Sequence, residues 1–415
     1  MILNKRSLRI LLIAFQSFFL ISWSTGANIP FINISIFLPW LATLLLALVL
    51  LPEEELPTLD VRLIVLYTSI FILMSFVSLP LILNNENLGF LNIHYFYDLN
   101  YHLEFFLKSL IAIFSFFIFN KLFSKENDLN IFFVLCAIFM IISIISLSWK
   151  YLYVFEENYI GVNTQEPMFY GKNSLAIVLS VIWPFLLINQ NRNLYYKAVN
   201  ILFGLCLLVA LIFIQSRALI IIFIMQLFLL SYFMNKKIFV AAFLSSVLLL
   251  SVLTEFKGFN ALTKRMASEE SITPNQAAEI FSESWRAKYI AFAIEGIKNN
   301  YGMGYGVSTY RVKQAEEVSY ETYERLQSHN DLLLISYEQG LISAFLLLFI
   351  FFNRMKMVIK SIRDNKDKSS FASLLSLASL FMWLLFANFI HTIVFWLFLA
   401  INIKVLQLNK TSKTN

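Results

Sequence analysis

The 415-residue chain is 59% hydrophobic, 16% aromatic and only 14% charged, with a mean hydropathy of +0.71 and a net charge of +6. Soluble domains carry about 25% charged residues, so this composition excludes ordinary soluble, disordered, collagenous and disulfide-rich secreted classes. Unbroken apolar runs of about 17–22 residues match the ~20 needed to cross a ~30 Å hydrocarbon core, and they exclude a β-barrel, whose strands alternate every second residue.

The pattern is that of an all-α polytopic membrane protein. Twelve spans are predicted, over residues 8–24, 33–51, 62–83, 104–122, 130–149, 173–189, 198–215, 217–233, 238–253, 331–352, 370–388 and 391–408. The chain divides into residues 1–253 with spans one to nine, a large loop at 254–330, and residues 331–415 with spans ten to twelve and a short tail. Lys5, Arg6 and Arg9 precede an apolar stretch with no clean small-residue cleavage site, and further spans follow at once. The first stretch therefore reads as a retained span rather than a removed signal. Cys136 and Cys206 both lie inside apolar runs, so no disulfide framework is expected.

Orientation follows from the basic residues. One side collects the N-terminal cluster, Arg62, Lys121, Lys125, Arg192, Lys197, Lys236 and Lys237. It also takes the group from Arg354 to Lys368, then Lys404, Lys410 and Lys413, whereas the opposite loops before the seventh span hold only Lys150 and Lys172. By the positive-inside rule both termini are cytoplasmic and the 254–330 loop is external. This distribution, with no basic patch interleaved by aromatics in a soluble stretch, also argues against a nucleic-acid partner; the expected surroundings are membrane lipids.

The external loop carries its own elements. Residues Glu279 to Lys298 show apolar positions at helical spacing and predict an amphipathic helix on the membrane face. A Gly-rich turn, Gly302-Met303-Gly304-Tyr305-Gly306, follows, then a polar stretch rich in Glu and Tyr. Loops of this length are uncommon without a function.

Four residues are candidates for chemistry, because charge at or inside a span is costly. Arg217 stands at the outer junction of spans seven and eight, where it either snorkels or holds an anionic lipid headgroup. Arg286 opens the amphipathic helix, either as a surface charge beside Glu279 and Glu283 or as a second guanidinium; two such forks can grip a diphosphate. His329, just before span ten, is either a hydrogen-bonded structural residue or a general base for a hydroxyl. Lys108, inside span four, predicts a polar internal cavity. No H-E-x-x-H, paired Cys/His spacing, Asp-x-Asp or Walker sequence is present, so neither a metal, a cofactor nor ATP-driven transport is expected.

Ser328-His329-Asn330-Asp331-Leu332, followed by Glu338-Gln339-Gly340-Leu341-Ile342, resembles the His-Asn…Glu-x-Gly-Leu-x-Gly signature of the O-antigen ligase and polymerase superfamily, with Ser343 in place of the last Gly. The turn from Asn299 to Gly306, Gln215-Ser216-Arg217-Ala218 and Ser284-Trp285-Arg286 resemble further family elements in the same order, and Gly171-Lys172-Asn173-Ser174-Leu175-Ala176 does so faintly. Motif agreement covers about residues 165–350; the first 160 agree only in topology.

The resemblance implies a metal-independent, GT-C-like glycosyltransferase of the bacterial inner membrane. It would move a glycan from undecaprenyl diphosphate to an acceptor hydroxyl at the periplasmic face, with inversion. Arg217 and Arg286 would hold the donor diphosphate and His329 would accept the hydroxyl proton, with Asn330 and Glu338 positioning it; Lys108 is a supporting candidate from its place in span four alone. The acceptor would be a lipid A–core sugar in a ligase, another lipid-linked repeat in a polymerase, or a protein hydroxyl in an O-oligosaccharyltransferase. Span count and loop placement resemble ligases best. A flippase or other secondary transporter is the reading from another class, against which the asymmetric outer loop argues.

Overall fold

The structure is a computed structural model that describes residues 5–25, 37–51, 58–84, 99–154, 172–188, 198–205, 207, 217–234, 285–310, 313, 330–365, 368–387 and 389–411. Its helices, in chain order, are α1 (Lys5–Thr25), α2 (Phe37–Leu50), α3 (Thr58–Asn84), α4 (Leu99–Leu122), α5 (Glu126–Val154) and α6 (Lys172–Ile188). They continue with α7 (Arg217–Met234), α8 (Trp285–Asn299), α9 (Asp331–Glu338), α10 (Leu341–Asn365), α11 (Lys368–Phe386) and α12 (Ile393–Thr411). A further helical stretch covers 198–205. Among the described residues there is no strand, and five helices (α3, α4, α5, α10 and α11) are long and apolar enough to cross a membrane. The chain is an all-α polytopic membrane protein. The predicted ninth span at 238–253, and most of the outer loop apart from 285–310, lie outside the described residues.

α11 is the centre of the bundle and packs most extensively against α6, then against α10, α12 and α7. Its sequence explains this position. Ser370, Ser373, Ser376 and Ser379 recur every third residue, all fully buried, and small side chains let helices approach closely where lipid supplies no hydrophobic drive between them. The serines also bond outward: Ser373 donates to Asn402 Oδ1 of α12 at 2.7 Å, and Asn402 Nδ2 donates to Ser376 at 3.0 Å. Gln226 of α7 plays the same part on the other side. It accepts from Trp183 Nε1 of α6 at 2.6 Å, and donates to the Ser180 carbonyl at 2.8 Å and to Ser379.

Two expectations are corrected here. Span ten does not run unbroken from 331: a short helix, α9, ends at Glu338, and the membrane-length helix α10 starts at Leu341 after Gly340 turns with φ of 88°. Arg354 is not a loop charge either. α10 continues to Asn365, and Arg354 is buried in it against Asp60 in the first turn of α3, an ion pair with side chains 3% and 2% exposed. The pair pins the start of α3 to α10, and Asp60 also complements the positive end of the α3 dipole.

Candidate functional site

α8 is an amphipathic helix whose inner side is aromatic. Phe292, Tyr305, Tyr310 and Tyr337 form a ring cluster with centroids 5.0–5.6 Å apart, and Tyr310 Oη donates to the Tyr289 carbonyl at 2.9 Å. Gly296 faces Tyr337 so closely that a Cβ there would overlap the ring. This cluster, centred on the buried Ala293, Tyr310 and Tyr337, is separate from the main membrane core and welds α8 to α9.

The chain leaves α8 through a tight reversal. Gly302 N–H donates to the Ile297 carbonyl at 2.8 Å and Tyr301 N–H to the Lys298 carbonyl at 3.0 Å, with Tyr301 itself in the left-handed region at φ of 51°. This is the Schellman type of helix ending, with Tyr where Gly is usual. The turn then lies along the far end of α9. Tyr305 N–H donates to the Tyr337 carbonyl at 2.9 Å, Gly306 N–H to the Glu338 carbonyl at 2.8 Å, and Leu341 N–H returns to the Gly302 carbonyl at 2.9 Å. On its other side Val307 N–H reaches the Met74 carbonyl of α3 at 3.1 Å. Glycine is required at two of these positions. A Cβ on Gly304 (φ 90°) would sit 2.6 Å from Gly340 N, and one on Gly306 (φ 104°) 2.7 Å from Ser78 N.

α9 is eight residues long and anchored at both ends. Asn330 caps it, its Oδ1 accepting from Leu333 N–H at 3.0 Å. Such a cap contributes about 1 kcal/mol. At the other end the buried Glu338 accepts the Tyr310 N–H at 3.3 Å through Oε1. Asp331, fully buried, accepts two backbone N–H groups through one oxygen, Phe389 at 2.8 Å and Ile390 at 3.0 Å, and so ties α9 to the turn between α11 and α12. Its Oδ1 is buried with no hydrogen-bond partner. Burial pushes the Asp331 carboxyl up to about 8, only partly offset by the two N–H donors. His391, one residue beyond the clamped turn, packs against Phe71 and Phe105.

The predicted site residues fall on this frame as follows. Arg217 is the first residue of α7, and Arg286 is the second residue of α8. His329 lies outside the described residues, immediately before the Asn330 cap. Asn330 and Glu338 mark the two ends of α9, which packs on α8 and touches α11; α11 in turn packs on α7. Lys108 is not in an internal cavity: its side chain is 47% exposed and pairs with Glu104 one turn earlier in α4. Asp331 was given no role from sequence alone, although an acid at the head of an apolar run is itself a signal. Among the described residues no group of three or more His, Cys, Asp or Glu is placed to hold a metal ion.

Residues 202–349 match the family described as O-antigen ligase. The chain carries an O-antigen ligase domain. The matched segment contains Arg217, Arg286, His329, the glycine turn and all of α9. Over that segment, about a third of the chain, the protein is similar to the O-antigen ligase and polymerase superfamily, whose members are glycosyltransferase-like enzymes of O-antigen processing. No curated protein matches the chain.

Proposed function

We propose that this protein is an O-antigen ligase of the inner membrane, with both termini cytoplasmic, that transfers a glycan from undecaprenyl diphosphate to a lipid A–core sugar hydroxyl at the periplasmic face. The observation that carries the reading is the family match over 202–349, which takes in the two arginines and the histidine in one domain. A diphosphate leaving group needs its developing charge stabilised more than it needs a proton. Arg217 and Arg286 supply that charge as planar bidentate donors in a partly dehydrated setting. His329 takes the proton from the acceptor hydroxyl as its oxygen attacks the anomeric carbon in line; the new glycosidic bond forms as the bond to the diphosphate breaks, with inversion. No metal takes part in this scheme. Asn330 and Glu338 act by positioning, since both fix the short helix that begins beside His329.

The test is lipopolysaccharide from a deletion strain on a silver-stained gel. Bare core is expected, with polymerised glycan retained on undecaprenyl diphosphate. Complementation with His329→Ala should leave bare core, while Arg217→Lys and Arg286→Lys should restore only part of the ladder, because a point charge lacks the guanidinium fork. Core bearing a single repeat would overturn the ligase reading and assign a polymerase with the same chemistry.

A further inference from the structure

The tip of the glycine turn is built to be exposed. Tyr301 is 92% and Met303 71% exposed, both apolar side chains at the end of a rigid support. Tyr301 holds a left-handed φ of 51°, which costs a non-glycine residue about 1–2 kcal/mol. The backbone bonds to Ile297, Lys298 and Leu341 fix that conformation rather than letting it relax. Between the two side chains, Gly302 packs against the Leu341 side chain with no room for a Cβ.

The level of this tip relative to the membrane follows from its contact with the head of α10, while the Val307 end of the turn reaches further in, to Met74 of α3. Leu341, the first residue of the span Leu341–Asp364, donates its N–H to the Gly302 carbonyl. The tip therefore stands at the boundary where that span meets its headgroup layer. Ile342, Phe345 and Phe349, at 70%, 65% and 53% exposure, form a stripe down the outer face of α10. On a membrane-length apolar helix, such a stripe faces lipid. Tyr301 and Met303, exposed like the stripe, flank Gly302, which packs on Leu341 at the head of that helix. An aromatic ring with a polar tip is the residue type enriched at that depth.

We infer that Tyr301 and Met303 form an interfacial anchor that seats the glycine turn in the headgroup layer of the bilayer at the Leu341 end of α10. The partner is the lipid surface itself. Because the turn is bonded to Tyr337 and Glu338, the anchor also fixes the depth of α9. The inference rests on α10 spanning the membrane and is independent of the glycosyl-transfer reading.

The test uses the full chain with Cys136 and Cys206 replaced, reconstituted into phosphatidylethanolamine–phosphatidylglycerol nanodiscs. Nitroxide labels are placed by Tyr301→Cys, Met303→Cys, Phe345→Cys as the lipid reference and Glu295→Cys, on the exposed side of α8, as the water reference. Collision with oxygen is compared with collision with a water-soluble nickel chelate. The oxygen-to-nickel ratio at 301 and 303 is expected to exceed that at 295 by at least about threefold and to fall below that at 345. Ratios at 301 and 303 equal to that at 295, with 345 in lipid, would overturn the anchor. To guard against damage from the label, the fluorescence that Tyr301→Trp adds to that of the seven native tryptophans should be quenched by brominated-chain lipids; added fluorescence that is not quenched would count against the anchor in the same way. A water-like ratio at 345 would instead break the span assignment of α10 on which the inference stands.

Discussion

Between α6, α7 and α11 the ties run through side chains: Gln226 bonds Trp183, the Ser180 carbonyl and Ser379, and Trp383 Nε1 reaches Ser180 Oγ at 2.8 Å. Around Gly302–Gly306 they run through the backbone, with Tyr305, Gly306 and Leu341 exchanging N–H and carbonyl groups between the turn and the α9–α10 break. The difference follows from the solvent. Within the bilayer each helix uses its own backbone groups internally, so cross-links between helices fall to side chains and small-residue packing. Where helices end, backbone groups are free to pair, and the demand shifts from polar side chains to residues that tolerate positive φ and close approach.

The largest effect should come from breaking a side-chain tie of the interior. Arg354→Met leaves Asp60 charged and buried, which should cost about 3–5 kcal/mol, whereas the pair of changes Asp60→Leu with Arg354→Met should recover most of it. Thermal unfolding of the purified protein in detergent measures both; equal losses in the single and double variants would mean the pair is not what holds α3 to α10. At the outer end the vulnerable atoms are absent ones. Gly306→Ala adds a Cβ at φ of 104° against Ser78 and should cost about 2–4 kcal/mol from left-handed strain and overpacking. A neutral result would show that the turn stands off from α3.

Near pH 4 the smallest effect is expected at Asp331, where the two kinds of tie meet, a side chain gripping backbone. Asp331→Asn keeps an acceptor for the Phe389 and Ile390 N–H groups. The folded-state carboxyl is raised to about 8, above its unfolded value. In the wild type, the unfolded chain therefore ionises first as pH rises above about 4, and stability falls until about pH 8 and is level beyond. The Asn variant lacks that loss. Its melting temperature should match the wild type near pH 4 and gain on it steadily up to pH 8. A difference that does not change with pH would show that Asp331 is ionised in the fold.

The membrane spans were legible because length and apolarity dictate them: α3, α4, α5 and α11 lie within a few residues of the predicted ranges. The start of span ten was not. The apolar run continues through Leu332, Leu333, Leu334 and Ile335, and the break at Gly340 is imposed by partners from 302–306, more than thirty residues upstream. Hydropathy reads along one helix and does not see such a long-range pairing. Arg354 was missed for the related reason that a charge near a span end reads as a loop unless its partner, here Asp60, is known. The exposed setting of Lys108 has a local origin that was available, since Glu104 stands four residues before it on the same helix face. Of the proposed site, the glycine turn was legible as a turn, but its docking onto Tyr337 and Glu338 was not.

The Asp331 clamp has a consequence for where the domain ends. The family match stops at 349, yet the two N–H groups that satisfy Asp331 belong to Phe389 and Ile390, forty residues further on. Sequence kinship and mechanical unity therefore have different boundaries in this protein. A fragment cut at the end of the matched stretch would keep every motif, but the buried Asp331 carboxyl, two residues after His329 in sequence, would lose both of its donors. The smallest piece that can hold α9 in its present attitude must reach through the turn into α12.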